Sequence, residues 1–391
     1  MTTPYLDSAS FGPSLHHPTC ARASSPRRAL LVIGSAVSLS LAAGLLIALP
    51  STAQATPESN IGVGVWANYR YVQDNDRDDE TFGDIADDAL IIYADGNAGD
   101  EGKWSYSAEL RIGPGSFTDP DNNDSGDNFL LHKAWIGWQA GENTTVRFGK
   151  SQVPFGWKTV NFWPGDILQA GYGDQMDVGV KLSSNSGPLS YDLAYYHADD
   201  WGETSTDTAD DNGHWGSSTT YRKVQTVVGD VGFEFAPGQR VHLSAQAGSL
   251  QDLTDAAGEV DGDHTALALW YHGDFGPAYL KAEVMMMERE LPANLRAANG
   301  LPDTIENTRV FAELGYRTGK WFFYLDGSLA MPDTTGNPAD DVTAFAPGFS
   351  YKYGPGWIYV EYLTQDGFVD RNGMVGEGDF DALYLSADFY L

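Results

Sequence analysis

Beyond residue 56 the chain alternates. From Lys103 to Ile112, the residues Trp104, Tyr106, Ala108, Leu110 and Ile112 fall on one side and Lys103, Ser105, Ser107, Glu109 and Arg111 on the other. Successive side chains of a strand point to opposite faces, so such a segment has one apolar and one wet side. The split recurs at Leu189, Tyr191, Leu193 and Tyr195 against Ser190, Asp192 and Tyr196. It recurs at Val241, Leu243, Ala245 and Ala247 against His242, Ser244 and Gln246, and at Val310, Ala312, Leu314 and Tyr316 against Arg309, Glu313 and Arg317. Helical periodicity over any length is missing from this part of the sequence. The pattern predicts sixteen strands, near 60–72, 86–95, 103–113, 129–139, 143–151, 178–184, 188–198, 223–235, 240–250, 264–273, 277–287, 308–317, 320–330, 342–353, 356–364 and 381–391.

Alternation alone also suits a soluble sandwich. The connections decide between the two. One set is short: 96–102, 140–143, 185–188, 236–239, 273–277, 318–319 and 354–356. The other is long and polar: 73–85, 114–128, 152–177, 199–222, 251–263, 288–307, 331–341 and 365–380. Seven short turns alternating with eight long loops are what sixteen up-and-down strands require when both termini lie on the short-turn side. Transmembrane barrels of the bacterial outer membrane sort their loops in this way, with short periplasmic turns and long outer ones. The spacing leaves about ten residues per crossing, which fits a tilted strand in hydrocarbon. The expected fold is therefore an all-β, antiparallel, up-and-down transmembrane barrel over 56–391. Its last strand, Ala382 to Leu391, runs to the end of the sequence and closes the ring, since an open edge in lipid would leave backbone groups unpaired.

The first fifty-five residues read differently. Arg22, Arg27 and Arg28 flank an apolar run from Ala29 to Leu49, followed by Ala53-Gln54-Ala55. That is the order of a cleaved signal peptide, with small residues at the cleavage site. The alternative is a spanning anchor, since the run is about long enough. Cys20, the single cysteine, precedes the run, which disfavours a lipoprotein anchor and leaves the barrel without a disulfide framework. The formal net charge of -31 repels nucleic acid and excludes it as a partner. Acidic outer loops are suited instead to bridging through divalent ions to lipopolysaccharide phosphates.

Two strands carry a more specific signal. Lys133-Ala134-Trp135-Ile136-Gly137-Trp138 is followed, after a short turn, by Val146-Arg147-Phe148-Gly149-Lys150-Ser151-Gln152-Val153-Pro154-Phe155-Gly156. This stretch of about thirty residues resembles the phosphate-selective porin O and P family. There, a strand with alternating aromatics leads into one that ends in a Gly-Gln-hydrophobic-Lys-Val-Pro-Phe-like motif. Lys150 stands here where the pattern has Gln, and Gln152 where it has Lys. The resemblance implies a sixteen-stranded homotrimeric porin of the outer membrane whose third outer loop, here 152–177, folds inward and narrows the pore. Read from the residues themselves, Pro154 ends the strand because it cannot donate to the ladder, and Phe155, Trp157, Phe162 and Trp163 either pack a loop against the barrel wall or form an aromatic girdle at the outer interface.

The expected function is passive diffusion of small hydrophilic solutes or ions through a water-filled lumen. The candidate pore-lining and selectivity residues are Lys103, Glu109, Arg111, Lys133, Arg147, Lys150, Lys181, Glu313 and Arg317. Further inward charges are expected at Asp192, Asp230, Glu234, Lys281, Glu283, Arg309, Asp326, Glu361 and Asp388. Anion pores need rings or runs of Arg and Lys, and these charges are mixed, so a phosphate- or anion-selective channel stands as the alternative, with Arg147 and Lys150 as the groups to touch an anion. A structural envelope barrel and a barrel enzyme are the remaining alternatives. Against an enzyme, His242 and Ser244 lie two apart on one strand, about 7 Å between side chains, too far for a nucleophile and its base. No cofactor or metal is implied. Asp74 to Glu80 alternates carboxylates like a calcium loop, but Asp79 and Ile85 stand where such a loop has Gly and Glu. The run Met285-Met286-Met287 is divided between both faces of a strand, which suits packing rather than metal binding.

Overall fold

The computed structural model describes residues 59–99, 102–114, 129–157, 176–198, 220–254, 257–370 and 372–391. The expected signal peptide and most of the 152–177 loop lie outside them. Sixteen antiparallel strands close into one barrel. They are β1 (Ser59–Val72), β2 (Asp84–Ala98), β3 (Trp104–Ile112), β4 (Phe129–Gly141), β5 (Thr144–Gln152), β6 (Met176–Ser186), β7 (Leu189–Ala198) and β8 (Tyr221–Ala236). The second half comprises β9 (Gln239–Asp252), β10 (Val260–Phe275), β11 (Ala278–Glu290), β12 (Ile305–Thr318), β13 (Trp321–Pro332), β14 (Val342–Lys352), β15 (Trp357–Val369) and β16 (Val375–Tyr390). Two short helices, α1 (Asp76–Thr81) and α2 (Ala293–Asn299), lie in outer connections.

Each strand pairs with its sequence neighbours. The ring closes where β1 meets β16, from Gly64 opposite Tyr390 to Val72 opposite Ala382. Leu391 N–H adds one more bond, 2.8 Å to the carbonyl of Val63. Closure satisfies the backbone groups that lipid could not.

The sidedness is inside-out. Leu193 and Leu269 are each 54% exposed, whereas Glu313, Glu361, Arg289 and Arg309 are 0% exposed. Apolar outer residues of neighbouring strands sit side by side, as with Tyr69 opposite Leu385 and Leu269 opposite Val284. Such a surface is tolerable only in hydrocarbon. At its short-turn end Trp321, Phe323, Phe349 and Tyr351 cluster, with Trp321–Tyr351 centroids 4.6 Å apart. Amphipathic rings collect at a membrane–water boundary in this way.

The strand count and the sorting of turns agree with the sequence reading, while several strands extend farther. Where 365–380 was expected to be a loop, β15 runs to Val369 and β16 starts at Val375. In Val375-Gly-Glu-Gly-Asp-Phe-Asp, the carboxylates Glu377, Asp379 and Asp381 stand on one face and Gly376, Gly378 and Phe380 on the other, so no run of apolar side chains marks a lipid-facing strand. A strand that projects above the hydrocarbon layer meets water on both faces and loses its two-sided signature. The Asp74–Glu80 motif forms α1 rather than an open carboxylate loop. Asn75 caps it, with Oδ1 accepting from Arg77 and Asp78 N–H groups at 3.1 and 3.3 Å. Asp78 accepts from Val72 N–H at 2.8 Å and Asp79 from the Tyr71 hydroxyl at 2.6 Å. These carboxylates serve the chain's own donors.

Candidate pore and constriction

The chain leaves β5 and turns into the lumen. Val153, Phe155 and Trp157 are 1%, 2% and 3% exposed. Lys181 Nζ pins the departure point, donating to the Gln152 carbonyl at 2.5 Å. Phe155 N–H bonds the Val153 carbonyl at 3.0 Å, and Gly156 takes φ +63°. The segment then reaches strands far around the ring. Gly156 N–H donates to Ser244 Oγ of β9 at 3.1 Å, and Trp157 N–H to Glu283 Oε2 of β11 at 2.7 Å. Trp157 lies against Phe311 of β12 (centroids 6.4 Å) and under Lys281 Nζ at 5.3 Å. Five residues span at most about 18 Å, so a path from β5 to β11 must cross the lumen rather than follow the wall. Residues 152–157 take an inward course, and Phe155 and Trp157 are buried inside the barrel rather than placed in a girdle at its outer surface. Phe162 and Trp163 lie outside the described residues.

Glycine is required at 156 for two reasons. The φ is left-handed, and an added Cβ would stand 2.7 Å from Glu283 Oε2, the oxygen that holds Trp157. Ser244 is equally committed: its hydroxyl donates to Asp230 Oδ2 at 2.6 Å while receiving Gly156 N–H. Asp230 also binds His242 Nδ1 at 2.8 Å, and His242 stacks on Trp270 with centroids 3.9 Å apart. The aspartate thus stands between the serine and the histidine, an arrangement that holds a loop and activates no nucleophile.

Basic residues gather on the wall of β3 to β6. Arg111 Nε pairs with Glu109 Oε1 at 3.0 Å, and its guanidinium lies 5.1 Å over Trp66. Glu109 faces Lys133 across the ladder. A bulge at the same point breaks strict alternation, so buried His132 joins this wall beside half-buried Lys133. Arg147 and Lys181 are direct cross-strand partners. Two cations opposite each other repel, and each has a separate outlet. Arg147 Nη1 donates to Ser183 Oγ at 2.9 Å and lies 5.1 Å from the Trp135 ring, while Lys181 holds Gln152. The Ser183 hydroxyl in turn donates a hydrogen bond to Asp192. Lys150 is buried next to the kink at Gly149, where φ is +112°.

The wall of β11 to β16 carries both signs: Glu283, Glu313, Asp326, Glu361 and Asp388 are buried beside Lys281, Arg289 and Arg309. Lys281 pairs with Glu313 at 3.3 Å, Glu313 faces Asp326, and Glu361 accepts from the Tyr324 hydroxyl at 2.5 Å. Asp388 accepts from Trp357 N–H at 2.5 Å. The nine candidate residues therefore divide. Glu109, Arg111, Lys133, Arg147, Lys150 and Lys181 share one mainly basic wall, and Glu313 belongs to the opposite wall of mixed charge. Lys103 and Arg317 stand at the short-turn end, away from the inward segment. Sequence reasoning missed Ser244 and Glu283 as loop anchors, because a chord across a barrel leaves no trace in alternation. It also missed Lys223 and Arg289, both buried. Gln225 at φ +52° introduces a bulge that hides the face of Lys223, and Arg289 lies on an extension of β11 beyond the expected end. Among the described residues no group of three or more His, Cys, Asp or Glu is placed to hold a metal ion.

Three comparisons bear on this geometry. The family model described as phosphate-selective porin O and P matches residues 60–326. No curated protein matches the chain in sequence. Among solved structures, OmpT of Vibrio cholerae is similar with TM-score 0.60 and 12% identity, over 87% of this chain and 99% of that one. A trimer form of OmpT gives TM-score 0.58 and 14% identity, over 86% and 100%. An anion-selective porin from Comamonas acidovorans gives 0.54 and 15%, over 86% and 100%. At such identities the likeness is one of fold.

Proposed function

The chain belongs to the phosphate-selective porin O and P family, and from that premise we propose that its lumen favours small anions along the β3–β6 wall, where the inward segment narrows the passage. It is an outer-membrane porin, and sixteen strands leave a channel for water and small hydrophilic solutes. One observation carries the selectivity reading. Arg111, Lys133, Arg147, Lys150 and Lys181 share one wall, and their acidic company there is Glu109, Asp177 and Asp192. Among the described residues, the chain crossing at 153–157 docks on β9, β11 and β12, across the lumen from these cations. The mixed charges of the far wall limit the preference and make it local rather than a ring. No reaction belongs to this reading, and Ser244 is tied to the inward segment. Three copies per assembly and contact with lipopolysaccharide through the acidic outer loops belong to the same reading.

Reversal potentials across a KCl gradient in planar bilayers test it. The expected result is a modest anion preference that falls when Arg147 is changed to Ala. A marked cation preference in the unaltered protein would overturn it.

A further inference from the structure

A second concave site lies at the periplasmic end of the lumen, apart from the constriction. It is a pocket of about 350 Å³ bounded by the short turns that join β12 to β13 and β14 to β15. Arg317, Phe322, Ser350 and Tyr359 lie in one continuous cross-strand row from β12 to β15, and Lys352 faces Trp357 one step nearer the turn. Cross-strand partners share a face, and buried Ser350 fixes that face as the inner one. Gly319 and Lys320, in the two-residue turn, and Trp321, at the rim beside the outer aromatic cluster, complete the lining.

The composition of this pocket is unusual for so acidic a chain. Arg317, Lys320 and Lys352 line it, and the lining includes no carboxylate. Asp388, the acid bonded to Trp357, is engaged with that residue's backbone N–H. The cations are already held in place by rings. The Arg317 guanidinium lies 4.7 Å from the Tyr279 centroid and 4.9 Å from that of Phe322, and Lys352 Nζ lies 5.1 Å from that of Trp357. A guanidinium packed against rings by its face keeps its N–H edge available for a carboxylate fork. Aromatic faces beside that edge favour a flat, unsaturated body over an aliphatic one. A volume of this order takes a single ring with one acidic group.

We infer that this pocket binds small aromatic carboxylates, the benzoate class, and holds them at the periplasmic exit of the pore. The inference rests on the porin reading only for the route by which such an anion arrives. Calorimetric titration of the folded, detergent-solubilised protein tests it, with benzoate, cyclohexanecarboxylate and inorganic phosphate as probes. Benzoate is expected to bind roughly tenfold tighter than either of the others. Lys352→Gln and Trp357→Leu, made separately and checked for heat-modifiable migration as folded barrels, are each expected to weaken benzoate by about tenfold. Equal affinity for the three probes overturns the inference, whatever the variants do. So does a benzoate preference that survives in a folded Lys352→Gln variant, because the ring anion would then sit elsewhere. Conductance in KCl is measured separately: its loss would count against the porin reading and leave the ranking of ligands standing.

Discussion

Changing Gly156 to Ala strikes the inward segment at its tightest point. The residue sits at φ +63°, and the new methyl would lie 2.7 Å from Glu283 Oε2. The left-handed conformation costs a non-glycine residue about 1–2 kcal/mol. Relieving the overlap moves the carboxylate away from Trp157 N–H, and a hydrogen bond to a charged group contributes about 1.5–3 kcal/mol. Together these destabilise docking by about 2.5–5 kcal/mol, or roughly two to four powers of ten in the docked-to-released ratio. Burial of Val153, Phe155 and Trp157 opposes release, so the expected outcome is exchange between states rather than permanent opening. Single-channel recording in KCl should then show a second, larger conductance level or a clear rise in open-channel noise. Gly187→Ala is the control. Gly187 has a similar φ of +60°, but nothing lies within 4 Å of an added Cβ. It shares the backbone strain and lacks the collision, so its recordings should match the parent's. If Gly156→Ala shows the parent's step size and noise, the docking contacts do not define the constriction.

Further outcomes follow from the same contacts. Leu269→Arg places a charge on the lipid face and should lower barrel stability by about 2–4 kcal/mol in lipid unfolding measurements; a soluble-type surface would tolerate it. Asn75→Ala removes the cap of α1 and should cost about 1 kcal/mol locally, read as faster proteolytic nicking of the first outer loop while the barrel remains intact. Asp370, in the outer connection between β15 and β16, accepts three backbone N–H groups, from Asn372, Gly373 and Met374, at 2.8, 2.9 and 2.9 Å. Burial nevertheless holds its carboxyl above the ordinary range, with those bonds and Arg289 pulling the other way. A raised carboxyl binds protons more tightly in the folded loop than in the unfolded one. The loop should therefore become more protected from hydrogen exchange as pH falls from the raised value toward the ordinary one. Asp370→Asn, which keeps the acceptor, should abolish that pH dependence.

The barrel was readable because hydrocarbon and water impose opposite demands on the two faces of a strand. Leu189, Tyr191, Leu193 and Tyr195 report that demand directly, and strand number and turn sorting follow from it. The signal faded wherever both faces met one medium, as at Val375–Asp381, or where a bulge changed the phase, as at Gln225 and at His132–Lys133. The site was legible in part. Arg111, Arg147 and Lys181 face inward as alternation requires, and the Val153–Gly156 motif marked the place where the chain turns into the lumen. Ser244 and Glu283 were illegible as anchors, since each is separated from its partner by dozens of residues and looks, on its strand, like any lumen-facing polar residue. Asn75 did carry a helix-start signal, an Asx residue followed by acids in the first turn, and the alternating carboxylates beside it pointed to a cation instead.

The central claim is a ring of strands that is apolar outside and wet inside, open to small solutes past an inward chord of chain. Swelling of liposomes that contain the folded protein tests it without reference to charge. Influx should be rapid for the smallest neutral sugars and fall steeply as sugar size increases. Proteoliposomes whose protein migrates as a folded barrel yet admit no sugar at all would contradict the account.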